Sequence, residues 1–114
     1  MSDKIIQTVC RTWNMSLDDV CGRSRKQEVV YTRMMIAHFL RQYTSLSTTE
    51  IGKLIGRNHS TILHYLATYE SEFRFNEEFR NFAESIKEEL DDIPEDPFAL
   101  EMEEEFNEIY GYGI

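Results

Sequence analysis

The stretch Ser47–Tyr69, STTEIGKLIGRNHSTILHYLATY, constrains the fold more than any other. It reads as two helices joined by a tight turn. Ser47 and Glu50 form a capping box, in which the hydroxyl accepts from the first turn and the carboxylate reaches back. Ile51, Leu54 and Ile55 give the first helix an apolar face. Gly56 stops it, because glycine enters the left-handed conformation at little cost. Asn58 caps the second helix. Ile62, Leu66, Tyr69 and Phe73 then recur at helical spacing and face a core. His59, Ser60, Thr61, His64 and Tyr65 fall outside that stripe, most of them at the exposed start of the second helix. A helix-turn-helix presents side chains and backbone N–H groups to DNA from that place. An ordinary helical hairpin with a polar cap shows the same local pattern.

Helical signals continue on both sides, which makes the expected class all-α. Ile5, Ile6, Val9, Cys10 and Trp13 form one stripe over residues 3–13. Ser16 caps a short helix, Leu17 to Cys21, with two acids in its first turn, and Gly22 ends it. Residues 25–43 form the longest helix, with Val29, Val30, Ile36, Ala37, Leu40 and Tyr43 on an apolar face widened by Met34, Met35 and Phe39. The helix after Asn58 is expected to end near Phe73. Asn76 caps another, on which Phe79, Phe82, Ala83, Ile86 and Leu90 close the core. Asp91 to Pro97 reads as a linker, rich in acids and proline. Phe98, Met102, Phe106 and Ile109 lie at helical spacing in a very acidic segment that is either a frayed tail or a short docking helix. The expected organisation is one domain over residues 1–90 and an acidic extension over 91–114.

Charge divides the chain in the same way. Residues 1–67 hold nine Lys/Arg against five Asp/Glu, a surplus of four positive charges. Residues 68–114 hold three against sixteen, a surplus of thirteen negative charges. The formal net charge of −9 therefore conceals a mildly basic front, and the two parts are expected to do different jobs. Cys10 and Cys21 stand eleven apart, outside any CxxC or disulfide-dense pattern, and read as two reduced, half-buried thiols. No apolar run approaches membrane length and no signal peptide is evident, so a soluble cytoplasmic protein is expected.

The basic residues concentrate in GRSRK, Gly22 to Lys26. Ser24 and Gln27 suggest a further capping box, which would place Arg23, Arg25 and Lys26 on a loop and the first turn of a helix. Cations are disfavoured there by the helix dipole, and an outside anion such as a phosphate would relieve them. Arginine on such a loop can also enter a minor groove. A solvated charged turn fits the residues equally. Arg33 and Arg41 are eight apart, about 80° net around a helix, so both can line one flank as a phosphate track or as plain exposed arginines.

The run GRSRKQEVVYTRMMIAHFLRQYTSLSTTEIGKLIGRNHSTILH resembles the C-terminal DNA-binding domain of the bacterial replication initiator DnaA. Four features carry the resemblance: the basic loop before a long helix, an arginine within that helix, S-x-x-E-I-G, and R-[DN]-H-[ST]-T opening the second helix of the pair. The match covers about residues 5–90. It implies an all-α bundle of the DnaA C-terminal and Trp-repressor-like type. It also implies that Arg25, with Arg23 beside it, enters a minor groove, and that Asn58, His59 and Ser60 read bases in the major groove. By the same resemblance Thr61, Arg33 and Arg41 hold phosphates, and Thr49 and His64 lie at the edge of the surface. Lys26 and Arg57 join the backbone-contacting set. Two departures stand out. The family usually has aspartate where this chain has Asn58, and a pair of glycines where this chain has only Gly56, so the family's preferred DNA box does not carry over. The sequence contains no G-x-x-x-x-G-K-[ST] loop, so the initiator's ATPase is not expected of it.

Catalysis finds little support. His38, His59 and His64 are the only histidines, and the last two stand about 140° apart on a helix, away from a common metal face. No cysteine pair completes a zinc site, and the carboxylates lie on helical faces and in the tail. No cofactor is expected. Two readings of function remain: a sequence-specific double-stranded DNA binder in replication or transcription control, and an interaction module. In the second, the acidic segment covers the basic face or mimics DNA to a protein partner.

Overall fold

The computed structural model describes residues 1–92, all of whose regular structure is helical. Six helices follow in order: α1 (Ser2–Thr12), α2 (Leu17–Cys21), α3 (Gln27–Tyr43), α4 (Thr48–Ile55), α5 (His59–Phe75) and α6 (Glu77–Asp92). The expected all-α bundle with a helix-turn-helix is what the described residues form. The segment carrying Phe98, Met102, Phe106 and Ile109 lies outside the described residues, as does the linker from residue 93 onward.

Local chemistry sets most boundaries. Ser16 and Asp19 exchange the two bonds of a capping box at the start of α2. Ser47 and Glu50 do the same for α4, and those bonds hold the Glu50 carboxyl below the usual carboxylate range. Gly56 closes α4 at φ 69° and ψ 37°, a left-handed position that a β-carbon would strain. Asn76 serves two helices at once. Its backbone N–H ends α5 on Glu72, and its side-chain oxygen accepts from Phe79 N–H at 3.1 Å to start α6. Helix α5 thus runs two residues past the expected Phe73. Helix α6 takes in Asp91 and Asp92, because the Asp91 carboxylate accepts from Tyr43 Oη and from Lys87 Nζ.

Helix α3 is the centre of the bundle, with α1, α2, α4 and α5 packed around it, while α6 closes against α1 and α5. Six successive residues, Thr32 to Ala37, are buried. Such a run exceeds one and a half turns, so α3 must be covered on every side. The core it organises draws Ile5 and Val9 from α1, Val20 from α2, Ile51 and Ile55 from α4, Ile62 from α5, and Phe79 and Ile86 from α6. Aromatic rings fill the wider gaps. Trp13 meets Phe82 edge-on at 4.6 Å, Phe79 meets Tyr31 at 5.1 Å and Tyr69 at 5.3 Å, and the His38 ring stacks on Tyr69 at 3.6 Å.

Three expectations about individual side chains change. Leu54 is exposed at 39 %, because only Ile51 and Ile55 of α4 point at α3 and α5. The cysteines are free, but they are not alike: Cys10 is buried, which pushes its thiol pKa up, and Cys21 is exposed. Ser24 does not cap α3. Its hydroxyl accepts from Lys26 N–H two residues on, and the helix starts after Lys26, which makes no side-chain cap bond.

Candidate nucleic-acid interface

Helices α4 and α5 meet in the turn Gly56–Asn58, and the turn depends on Gly52. Arg57 N–H donates to Gly52 carbonyl at 2.8 Å, and a β-carbon at position 52 would run into the Arg57 carbonyl oxygen. The glycine of the S-x-x-E-I-G run therefore lets the turn fold flat against α4. Asn58 then caps α5, its Oδ1 accepting from Thr61 N–H at 2.9 Å and from Thr61 Oγ1 at 3.1 Å. With Ile62, Tyr65 and Tyr69 buried, α5 turns the opposite face outward: Asn58, His59, Ser60, Leu63, His64 and Ala67 are all exposed.

The basic loop Gly22–Lys26 is fastened beside that helix start. Arg33, inside α3 and only 3 % exposed, donates Nε to Val20 carbonyl at 2.7 Å, Nη1 to Ser24 carbonyl at 2.8 Å and Nη2 to Gly22 carbonyl at 2.8 Å. Arg57, from the α4–α5 turn, places its Nη2 on the same Gly22 carbonyl and its Nη1 on Gly56 carbonyl. Two guanidinium groups from separate parts of the chain thus converge on one loop oxygen, and the loop and the start of α5 become neighbours. Arg23, Arg25 and Lys26 remain exposed. The loop carries cations that pair with no acid among the described residues, next to a helix N-terminus with exposed polar side chains, a combination suited to an anionic duplex.

The predicted residues divide on this geometry. Arg23, Arg25, Lys26, Asn58, His59 and Ser60 are all exposed, on a loop and a helix start that the Arg57–Gly22 bond makes neighbours. Arg33 does not join them: an exposed phosphate contact was expected, and instead its guanidinium is buried and spent on three carbonyls, so it builds the loop from within. Arg57 is partly buried and holds the same loop. The Thr61 hydroxyl turns inward to Asn58. Arg41 is exposed and donates to Leu46 carbonyl at 3.1 Å, and Thr49 and His64 are exposed on α4 and α5. Leu63, 51 % exposed on the outward face of α5, was missed by sequence reasoning. Its signal was present in part, since it stands about 100° from Ile62 and about 120° from Tyr69 around the helix.

Comparison with known proteins places the chain in a family. The family described as the bacterial DnaA protein helix-turn-helix matches residues 2–68. The chromosomal replication initiator protein DnaA of Bacteroides thetaiotaomicron is 32 % identical over 86 residues, which cover 75 % of this chain and 18 % of the relative. That of Bacteroides fragilis is 34 % identical over 86 residues, with the same shares. The DnaA of Thermomicrobium roseum is 31 % identical over 96 residues, 83 % of this chain and 21 % of the relative. The chain spans about a fifth of the length of these curated relatives. Among the described residues no helix is long and apolar enough to cross a membrane.

Proposed function

Because this chain belongs to the bacterial DnaA helix-turn-helix family, we propose that it is a sequence-specific binder of double-stranded DNA acting in replication or transcription control. The proposal assigns it no catalysis. In this reading the start of α5 enters the major groove, where Asn58, His59 and Ser60 meet base edges, and Arg25 reaches the adjacent minor groove. Arg23, Lys26, Arg41 and Thr49 lie where phosphates would pass, with Arg57, Thr61 and His64 at the margin. The observation that carries the reading is the shared Gly22 carbonyl. It joins the cationic loop to the turn that opens α5, so both can meet one duplex together.

The test is binding to duplexes selected from a random pool. His59→Ala should lower discrimination between bound and unbound sequences by roughly 1–3 kcal/mol. Arg25→Ala should weaken binding across sequences and reduce its salt slope by about one. If both variants keep the affinity and specificity of the parent, the surface is misassigned.

The charge division favours a second role alongside the first. Residues 93–114 hold seven Asp/Glu and no Lys/Arg. Such a segment can compete with DNA for the basic face, or offer an anionic surface to a protein partner. Removing residues 93–114, and so keeping Asp91 on Tyr43, should tighten DNA binding most at low salt if the segment competes. Unchanged affinity across salt would eliminate competition.

A further inference from the structure

Asn58 offers less to a ligand than a free asparagine does. A carboxamide oxygen has two lone pairs, and here one takes Thr61 N–H at 2.9 Å and the other Thr61 Oγ1 at 3.1 Å. The amide cannot be turned round, because its NH2 would then face the Thr61 backbone N–H, donor against donor. Nδ2 is therefore the free end, on an exposed residue, and it finds no partner among the described residues. A free asparagine reads adenine with both ends, its oxygen accepting from N6 and its nitrogen donating to N7. At position 58 that pairing would break the cap of α5.

Taking α5 as the DNA-reading helix proposed above, we infer that Asn58 is a donor-only reader. It selects a base edge that carries an acceptor and rejects cytosine. Guanine fits best, with O6 and N7 both accepting. Thymine offers O4 and adenine N7, whereas the major-groove edge of cytosine presents only the N4 donor. The cap consequently sets the polarity of recognition: the hydrogen bonds that start the helix decide which half of the side chain is left for the base.

Two substitutions isolate this effect because both retain a capping group. Asn58→Asp keeps one oxygen for Thr61 and turns the outward atom from donor to acceptor. Asn58→Ser keeps a cap and replaces the outward nitrogen by a hydroxyl one bond shorter, whose O–H can turn to Thr61 Oγ1 instead of the base. Sites would be selected from random duplexes with the full chain and each variant, and folding followed by thermal melting. The parent should enrich guanine at one position. Asn58→Asp should move that position alone to cytosine, with a swing of roughly tenfold or more, and Asn58→Ser should leave it indifferent. Should Asn58→Asp unfold, indifference confined to one position in Asn58→Ser still supports the assignment. A parent that selects cytosine there, or variants that select its base at every position, would overturn it while leaving DNA recognition intact. A parent that enriches no sequence removes the DNA reading and this inference together.

Discussion

Replacing Arg33 by methionine separates a structural arginine from a phosphate contact. The side chain is 3 % exposed, and its three donors go to the carbonyls of Val20, Gly22 and Ser24. Methionine fills similar volume but donates to none of them. Gly22 keeps Arg57, so two carbonyls, Val20 and Ser24, lose their partner. An orphaned buried carbonyl costs about 1–3 kcal/mol, and the pair therefore about 2–6. Methionine avoids burying a charge, and the loop can turn its oxygens toward water, so we expect the lower half, a loss of about 2–4 kcal/mol. Urea denaturation at 25 °C measures it directly. Hydrogen exchange should show the Lys26 amide, which donates to Ser24 Oγ, losing protection at the same time. An exposed phosphate contact behaves otherwise: stability would hold within about 0.5 kcal/mol, as at ordinary surface sites, while the salt slope of DNA binding fell by about one. That pair of results would refute the internal role.

Two further outcomes follow from the packing. Gly52→Ala should destabilise by about 1–3 kcal/mol, although alanine is the better helix former, because its methyl displaces the Arg57 carbonyl; a rise in melting temperature would contradict this. Burial pushes the His38 pKa down from 6.5 to about 4. The unfolded chain then binds a proton between those values that the folded one refuses, so stability present above pH 6.5 declines as pH falls toward 4. The share lost to this histidine is about 1–3 kcal/mol, and His38→Gln should flatten the decline between pH 7 and 5 in denaturant titrations.

Features that depend on atoms within one helical turn were legible in the sequence. The Ser16 and Ser47 capping boxes, the left-handed Gly56 and the Asn58 and Asn76 caps each join residues no more than four apart, and the spacing of residue types specifies them. The apolar periods of α1 and α6 were legible for the same reason. The capping rule failed at Ser24, where a distant partner intervened: Arg33, nine residues on, holds the Ser24 carbonyl and keeps the loop extended to Lys26. From its spacing to Arg41, Arg33 read as a phosphate contact or a plain exposed arginine. The placement of α2 and the loop over its guanidinium made it a buried anchor instead. Leu54 and Leu63, apolar yet exposed, show the same limit, since periodicity states that a helix has a face but not which neighbours arrive to cover it. By itself, then, the sequence determined the helix ends that short-range caps set, at Ser16, Ser47, Gly56, Asn58 and Asn76, because those bonds are local. The tertiary structure alone decided which arginines face outward and that the cationic loop lies beside the start of α5. Gly22 and Arg57 are thirty-five residues apart, and only the packing of α2 and α4 around α3 brings them within one hydrogen bond.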